Sequence, residues 1–234
     1  MTEPQSLIEQ QMEYYRARAG EYDEWFLRQG RYDHGAELNQ AWFAEVEQVR
    51  AALAVFQPAG RVLELACGTG LWTQHLHRYA EQITALDSSS EVLELNRQRL
   101  DSDRVRYVQA DLFRWEPDAS YDVVFFSFWL SHVPESHFAG FWEMVRRALK
   151  PGGRAFLIDS RYDPTTTARD HSLGGRDMTT MTRRLNDGRA FEIVKIFYEP
   201  ARLESQLQSL GWRARAAVTP RYFLYGQAER PGCG

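Results

Sequence analysis

The chain has 234 residues, of which 44% are hydrophobic, and a net charge of -4. This suffices for one well-packed domain of the larger kind, and the acidic balance disfavours a general polyanion binder. The sequence has no apolar run of about 18 residues to span a membrane and an acidic start unlike a signal peptide (Met1-Thr2-Glu3-Pro4-Gln5); its two cysteines, Cys67 and Cys233, form neither a disulfide framework nor a metal pattern, so a cytoplasmic protein is expected.

Residues 5–18 read as a helix crowded with Tyr14, Tyr15, Arg16 and Arg18, and the two arginines are expected in solvent unless one reaches a ligand carboxylate. A second helix carries Trp42, Phe43, Val46, Val49, Leu53 and Phe56 at helical spacing until Pro58 and Gly60 end it. Then the pattern alternates. Strands are predicted over 61–66, 82–87, 104–110, 121–127 and 153–159, with helices at 71–80, 89–100 and 135–149. The strands are continuous apolar runs, as a parallel sheet covered on both faces requires. Strand–helix alternation of this kind defines an α/β doubly wound domain. After an irregular stretch, strands over 178–185 and 190–198 flank the hairpin turn Asn186-Asp187-Gly188. Pro200 opens a helix and Gly211 closes it. Trp212–Val218 and Arg221–Gln227 read as a final antiparallel pair.

The chemistry starts at Arg61-Val62-Leu63-Glu64-Leu65-Ala66-Cys67-Gly68-Thr69-Gly70. An apolar strand holding one carboxylate enters a glycine turn, where a small molecule can approach the backbone. A nicotinamide dinucleotide would require a third glycine; Leu71-Trp72-Thr73 follow instead. Glu64 also opposes a pyrophosphate on the next helix and favours a ligand with a positive charge. Asp87 ends the second strand 19 residues after Gly68, the spacing of an acid that takes ribose hydroxyls.

These residues resemble motif I of the class I methyltransferases that use S-adenosylmethionine. Tyr121-Asp122-Val123-Val124 is similar to the family's fourth strand, and Leu149-Lys150-Pro151-Gly152-Gly153 to its turn into the fifth. The resemblance covers roughly residues 60–160 and the terminal helix and strand pair. It implies a Rossmann-like seven-stranded sheet, mostly parallel with the last strand antiparallel, within a single domain over 1–234. Residues 1–57 would form an N-terminal helical cap and 160–198 a substrate-side insertion. It implies that Glu64 and the backbone of Ala66, Cys67, Gly68, Thr69 and Gly70 hold the methionine part of the cofactor. Asp87 would take the ribose hydroxyls, with Ser88 beside it. Asp111 would meet the adenine amino group, with Leu112 and Phe113 on the ring. Ser127 would lie near the sulfonium, with Tyr15 reaching in from the cap.

Methyl transfer needs alignment and exclusion of water more than acid–base chemistry, and a base helps only a protonated nucleophile. His132 is the candidate base, although a packed or capping histidine is the simpler reading; His137, Asp159, Tyr162 and His171 also fall near the expected mouth. The exocyclic-amino motif of nucleic-acid enzymes is missing after the fourth strand, where Ser127-Phe128-Trp129-Leu130 stands. No cysteine is placed for cytosine chemistry, and Asp159 is too isolated to imply a metal. The aromatics Tyr14, Tyr22, Trp25 and Trp129, with Tyr162 and Tyr32, would enclose a planar acceptor. The expected activity is methylation of an O, N or S atom of a small aromatic or heterocyclic metabolite, with no nucleic-acid or membrane partner. The alternatives are an enzyme acting on RNA or protein, and a non-catalytic S-adenosylmethionine-binding protein.

Overall fold

The central apolar runs become strands here because both of their faces are covered. The computed structural model describes residues 4–230; Met1–Glu3 and the tail holding Cys233 lie outside the described residues. In chain order the elements are α1 (Pro4–Ala17), α2 (Tyr22–Phe26), α3 (Ala36–Phe56), β1 (Gly60–Leu65), α4 (Thr73–Leu76), β2 (Ala80–Asp87), α5 (Ser90–Leu100) and β3 (Val105–Gln109). They continue with β4 (Tyr121–Ser127), α6 (Glu135–Ala148), β5 (Leu149–Ser160), β6 (Thr180–Arg184), β7 (Ala190–Val194), α7 (Pro200–Ser209), β8 (Arg213–Val218) and β9 (Phe223–Glu229). One seven-stranded sheet has the order β3-β2-β1-β4-β5-β9-β8, and β6 pairs only with β7. Strands β1 to β5 are parallel. The last strand, β9, runs antiparallel between β5 and β8, which gives the expected Rossmann-like sheet.

Alternate residues of β1 and β4 point to opposite faces. Leu63, Leu65, Val124 and Phe126 pack with Phe141 and Trp142 of α6 and Leu203 and Leu207 of α7. Val62, Val123 and Phe125 pack on the other face with Trp42, Val46, Val49 and Leu53 of α3. The strand order reverses at β1 and β4, so the crevice beyond their carboxyl ends is where a ligand of such a sheet sits.

Most elements shift by two residues or fewer from the sequence reading, and three depart further. The helix expected over 71–80 is only α4, because Arg104 donates to the carbonyls of His77 at 3.2 Å and Ala80 at 2.9 Å and turns the chain into β2 early. Strand β5 begins at Leu149 instead of 153, since Leu149 pairs with Tyr121 before the Lys150–Gly153 turn breaks register. The hairpin strands are shorter than 178–185 and 190–198 because the chain leaves the pairing after Val194, and the Ile196 N–H donates to Ser131 O at 2.8 Å. The hairpin clamps α1: Tyr14 packs with Leu185 and Ile193. No described helix is long and apolar enough to cross a membrane.

Candidate active site

The glycine turn keeps an open backbone by left-handed geometry. Ala66, Gly68 and Gly70 have φ of 50°, 52° and 89°. A side chain at Gly70 would meet Asn96 Oδ1 at 2.5 Å, so only glycine fits there. The turn is fixed to the end of β2: Asp87 Oδ2 accepts from the Gly68 N–H at 3.0 Å and its Oδ1 from the Ser89 N–H at 3.1 Å. Burial raises the Asp87 pKa despite these bonds. Beyond β3, Asp111 Oδ1 accepts from the Phe113 N–H at 2.9 Å.

A cavity of about 680 Å³, partly open to solvent, lies over these strand ends. Its floor is Ala66, Gly68, Asp87, Ser88 and Ser127; Asp111, Leu112, Phe113 and Trp129 form one wall. Gln11, Met12, Tyr15 and Tyr22 of the cap close it from above. Two carboxylates in a largely apolar slot fit a nucleoside with free hydroxyls and an amino group. Cys67 and Thr69 line a small recess behind the turn instead, and Gly70 touches neither space. Thr69 and Arg99 both donate to Asp23, which ties α2 down onto the turn.

Glu64 is fully buried, and neither carboxylate oxygen makes a hydrogen bond of ordinary geometry among the described residues, although the Thr73 hydroxyl is close enough to pull its pKa down. Burial pushes its pKa to about 8, opposed by Thr73 and reinforced by Asp87. An unpartnered buried carboxylate in this place fits a cationic ligand, although Glu64 is not on the cavity wall.

A second cavity, about 540 Å³ with its solvent-open part included, adjoins the first, and Tyr15, Tyr22, Phe128 and His132 line both. Its remaining walls come mostly from the cap and the insertion: Tyr14, Trp25 and Tyr32 from one, Thr166, Arg183 and Lys195 from the other. Arg18 also lines it and is only 8% exposed, so the expectation of a solvated arginine is corrected. The cause is the ring of tyrosines around it, Tyr14, Tyr22 and Tyr32, whose faces take the guanidinium. Burial lowers the Lys195 pKa to about 8, with Asp159 opposing.

His132 Nδ1 lies 2.7 Å from Val194 O and its Nε2 2.7 Å from the Tyr15 hydroxyl. Burial and the nearby Lys195 charge hold its pKa well below the ordinary imidazole value. Four other expected residues line neither cavity. Tyr162 donates to Gly174 O at 2.8 Å and packs on Phe197; His137 lies edge-on to Phe113; His171 bonds Arg31 and the Arg184 N–H; Asp159 accepts from the Ser131 N–H at 2.8 Å. Trp129 packs at a tilt against Phe113 on the first cavity and does not line the second. Trp25 reaches the second cavity with its indole N–H on Thr166 O at 2.6 Å. Sequence reasoning missed Arg183 and Lys195, isolated charges with no motif around them, and also Phe128 and Ser160, which stand next to the named residues Ser127, Trp129 and Asp159.

A methyltransferase-domain family model matches residues 62–153. A ubiquinone biosynthesis O-methyltransferase of Xanthomonas axonopodis pv. citri (strain 306) is 32% identical over 196 residues, covering 75% of this chain and 77% of that protein. A demethylmenaquinone methyltransferase of Clavibacter sepedonicus is 36% identical over 141 residues, but the match spans only 59% of this chain and 57% of the relative. The structure of DhpI complexed with S-adenosylhomocysteine superposes with a TM-score of 0.76 at 40% identity, covering 97% of this chain and 98% of that one. The chain belongs to the class I S-adenosylmethionine-dependent methyltransferases, and S-adenosylmethionine is its cofactor.

Proposed function

We propose that this methyltransferase acts on an oxygen atom of a small molecule held in the second cavity, within one domain whose cap (1–57) and insertion (160–198) enclose that molecule. The carrying observation is the shared wall: Tyr15, Tyr22, Phe128 and His132 face both spaces, so donor and acceptor would meet inside the protein. S-adenosylmethionine, when bound, supplies a methyl carbon activated by its sulfonium. In this reading Asp87 and Asp111 hold its adenosine, the glycine turn leaves room for its backbone approach, and Glu64 offsets its positive charge. The cap residues Gln11, Met12, Tyr15 and Tyr22 exclude water, and the chain's main task is alignment.

A macromolecular acceptor would need an open groove, and the cap lies across that path. The preference for oxygen over nitrogen or sulfur rests on the ubiquinone-type relative, whose name gives an O-methyltransferase. The test is S-adenosylhomocysteine formation from small hydroxyl- or carboxyl-bearing molecules, set beside RNA and peptides. Turnover confined to small oxygen acceptors is expected; turnover confined to RNA or peptide overturns the reading.

A further inference from the structure

The second cavity carries more positive charge than its surroundings neutralise. Arg18 is buried, and its hydrogen-bond partner among the described residues is the Tyr32 hydroxyl at 3.5 Å. The rings of Tyr14, Tyr22 and Tyr32 are centred 5.6, 5.2 and 5.9 Å from its guanidinium carbon. Arg183 donates to the Thr167 hydroxyl and faces His171 Nδ1 at 3.4 Å. Neither arginine has an ion pair among the described residues. Lys195, 5% exposed, donates to Ser131 Oγ at 2.8 Å and Ser160 Oγ at 2.7 Å. Its one carboxylate is Asp159, at 3.5 Å. Three cations therefore share one carboxylate, and no Asp or Glu lines the cavity.

Such an excess is costly to keep. A buried ion without a counterion loses several kcal/mol of solvation, and an aromatic face returns about 0.5–2 kcal/mol. A guanidinium also presents five N–H donors in a fork that matches a carboxylate or a phosphate, and Arg18 has one long hydrogen bond to a hydroxyl. Tyr14, Tyr32 and Ser160 add neutral hydroxyls to the same wall. The tyrosine faces from which an aromatic acceptor was expected are turned to Arg18.

We propose that the second cavity is an oxyanion site, and that the methyl acceptor is a compact molecule whose carboxylate or tetrahedral oxyanion is held by Arg18, Arg183 and Lys195. This rests on the reading that the second cavity holds the acceptor. Arg18 follows α1, Arg183 lies on β6 and Lys195 follows β7, so the anion also bridges cap and insertion. Binding it closes the site.

The test is calorimetry of the full chain loaded with S-adenosylhomocysteine, titrated with inorganic phosphate and, separately, with acetate. One phosphate site is expected, with acetate weaker. Arg183→Gln and Lys195→Met should each weaken phosphate about tenfold or more, the loss of a charged hydrogen bond. Their affinity for S-adenosylhomocysteine should stay at the wild-type value, which shows that they fold. Arg18→Lys, which keeps the charge and loses the fork, should weaken phosphate as well. Absence of phosphate binding at about 10 mM, well above the range where charge-assisted sites fill, overturns the proposal. So do variants that bind phosphate like the wild type. Because this readout needs no turnover, it separates the two readings. Phosphate bound at these residues with no oxyanion acceptor methylated leaves the anion site standing and removes the acceptor role. Methylation of neutral acceptors, unaffected by phosphate and by Arg183→Gln, removes the oxyanion assignment alone.

Discussion

The Tyr15 hydroxyl donates to Nε2 of His132, and the same ring spends its Nδ1–H on the carbonyl of Val194, both at 2.7 Å. A carbonyl only accepts, so Nδ1 carries the proton and Nε2 is the acceptor. With burial and Lys195 holding the imidazole neutral, His132 is built to hold Tyr15 at the junction of the two cavities. Taking a proton from an acceptor would require it to drop Tyr15. This geometry favours the packed histidine, which was the simpler reading of the sequence, over the candidate base.

The consequence is measurable. His132→Ala and Tyr15→Phe should each lower kcat about tenfold, roughly the value of one hydrogen bond. The double variant should be no worse than the poorer single one, because both remove the same interaction. The wild-type pH–rate profile should show no inflection near the ordinary imidazole pKa. An inflection there that disappears in His132→Ala would restore the base.

Asp87 joins the glycine turn to the cofactor cavity, since its carboxylate holds the Gly68 and Ser89 amides while facing that space. Asp87→Ala should weaken S-adenosylmethionine binding by at least about tenfold and lower Tm, as buried amides lose their acceptor. Asp87→Asn, with one acceptor oxygen left, should recover part of Tm and less of the affinity. Unchanged affinity by calorimetry in Asp87→Ala would sink the ribose assignment.

Glu64 predicts a pH dependence of stability. Its pKa in the fold is about 8, raised first by burial, against 4.5 for an ordinary glutamate. Between those values the folded chain binds the proton that the unfolded chain has released. Stability therefore falls as pH rises through that window. Glu64→Gln should flatten the fall and raise Tm at pH 8 in the cofactor-free protein, followed by calorimetric melts from about pH 5 to 8. Parallel curves for the two proteins would contradict an unpartnered carboxyl.

The half of the site built by strand ends was legible because it is local. The turn Ala66–Gly70, Asp87 and Asp111 each follow an apolar run whose end the sequence marks, and β1 to β4 bring those ends together. In the second cavity the aromatic lining of Tyr14, Tyr22, Trp25 and Tyr32 was legible, but its cations were not, because Arg18, Arg183 and Lys195 meet only through folding. In the sequence each looks like one more solvated charge. Even the length of α4 depends on Arg104, a residue beyond the next strand. The motif likewise showed Glu64, but its lack of a partner is a property of packing.

Lys195 couples the electrostatics of the second cavity to folding. It faces Asp159, Ser131, Ser160 and the Phe197 ring, with Arg183, Arg18 and His132 near it. Burial lowers its pKa from 10.5 to about 8, and Asp159 restores only part. Between those values the unfolded chain holds a proton that the folded chain has lost, so stability from this group rises with pH across the window. A bound oxyanion acts oppositely, because it favours the charged ammonium. The Tm gain from added phosphate should be largest below pH 8 and shrink as pH rises through that value. Lys195→Met should show a smaller gain with no such decline. Melting curves with and without phosphate, from about pH 7 to 9.5, decide it. A phosphate gain that stays constant across that range in the wild type would show that Lys195 does not face the anion.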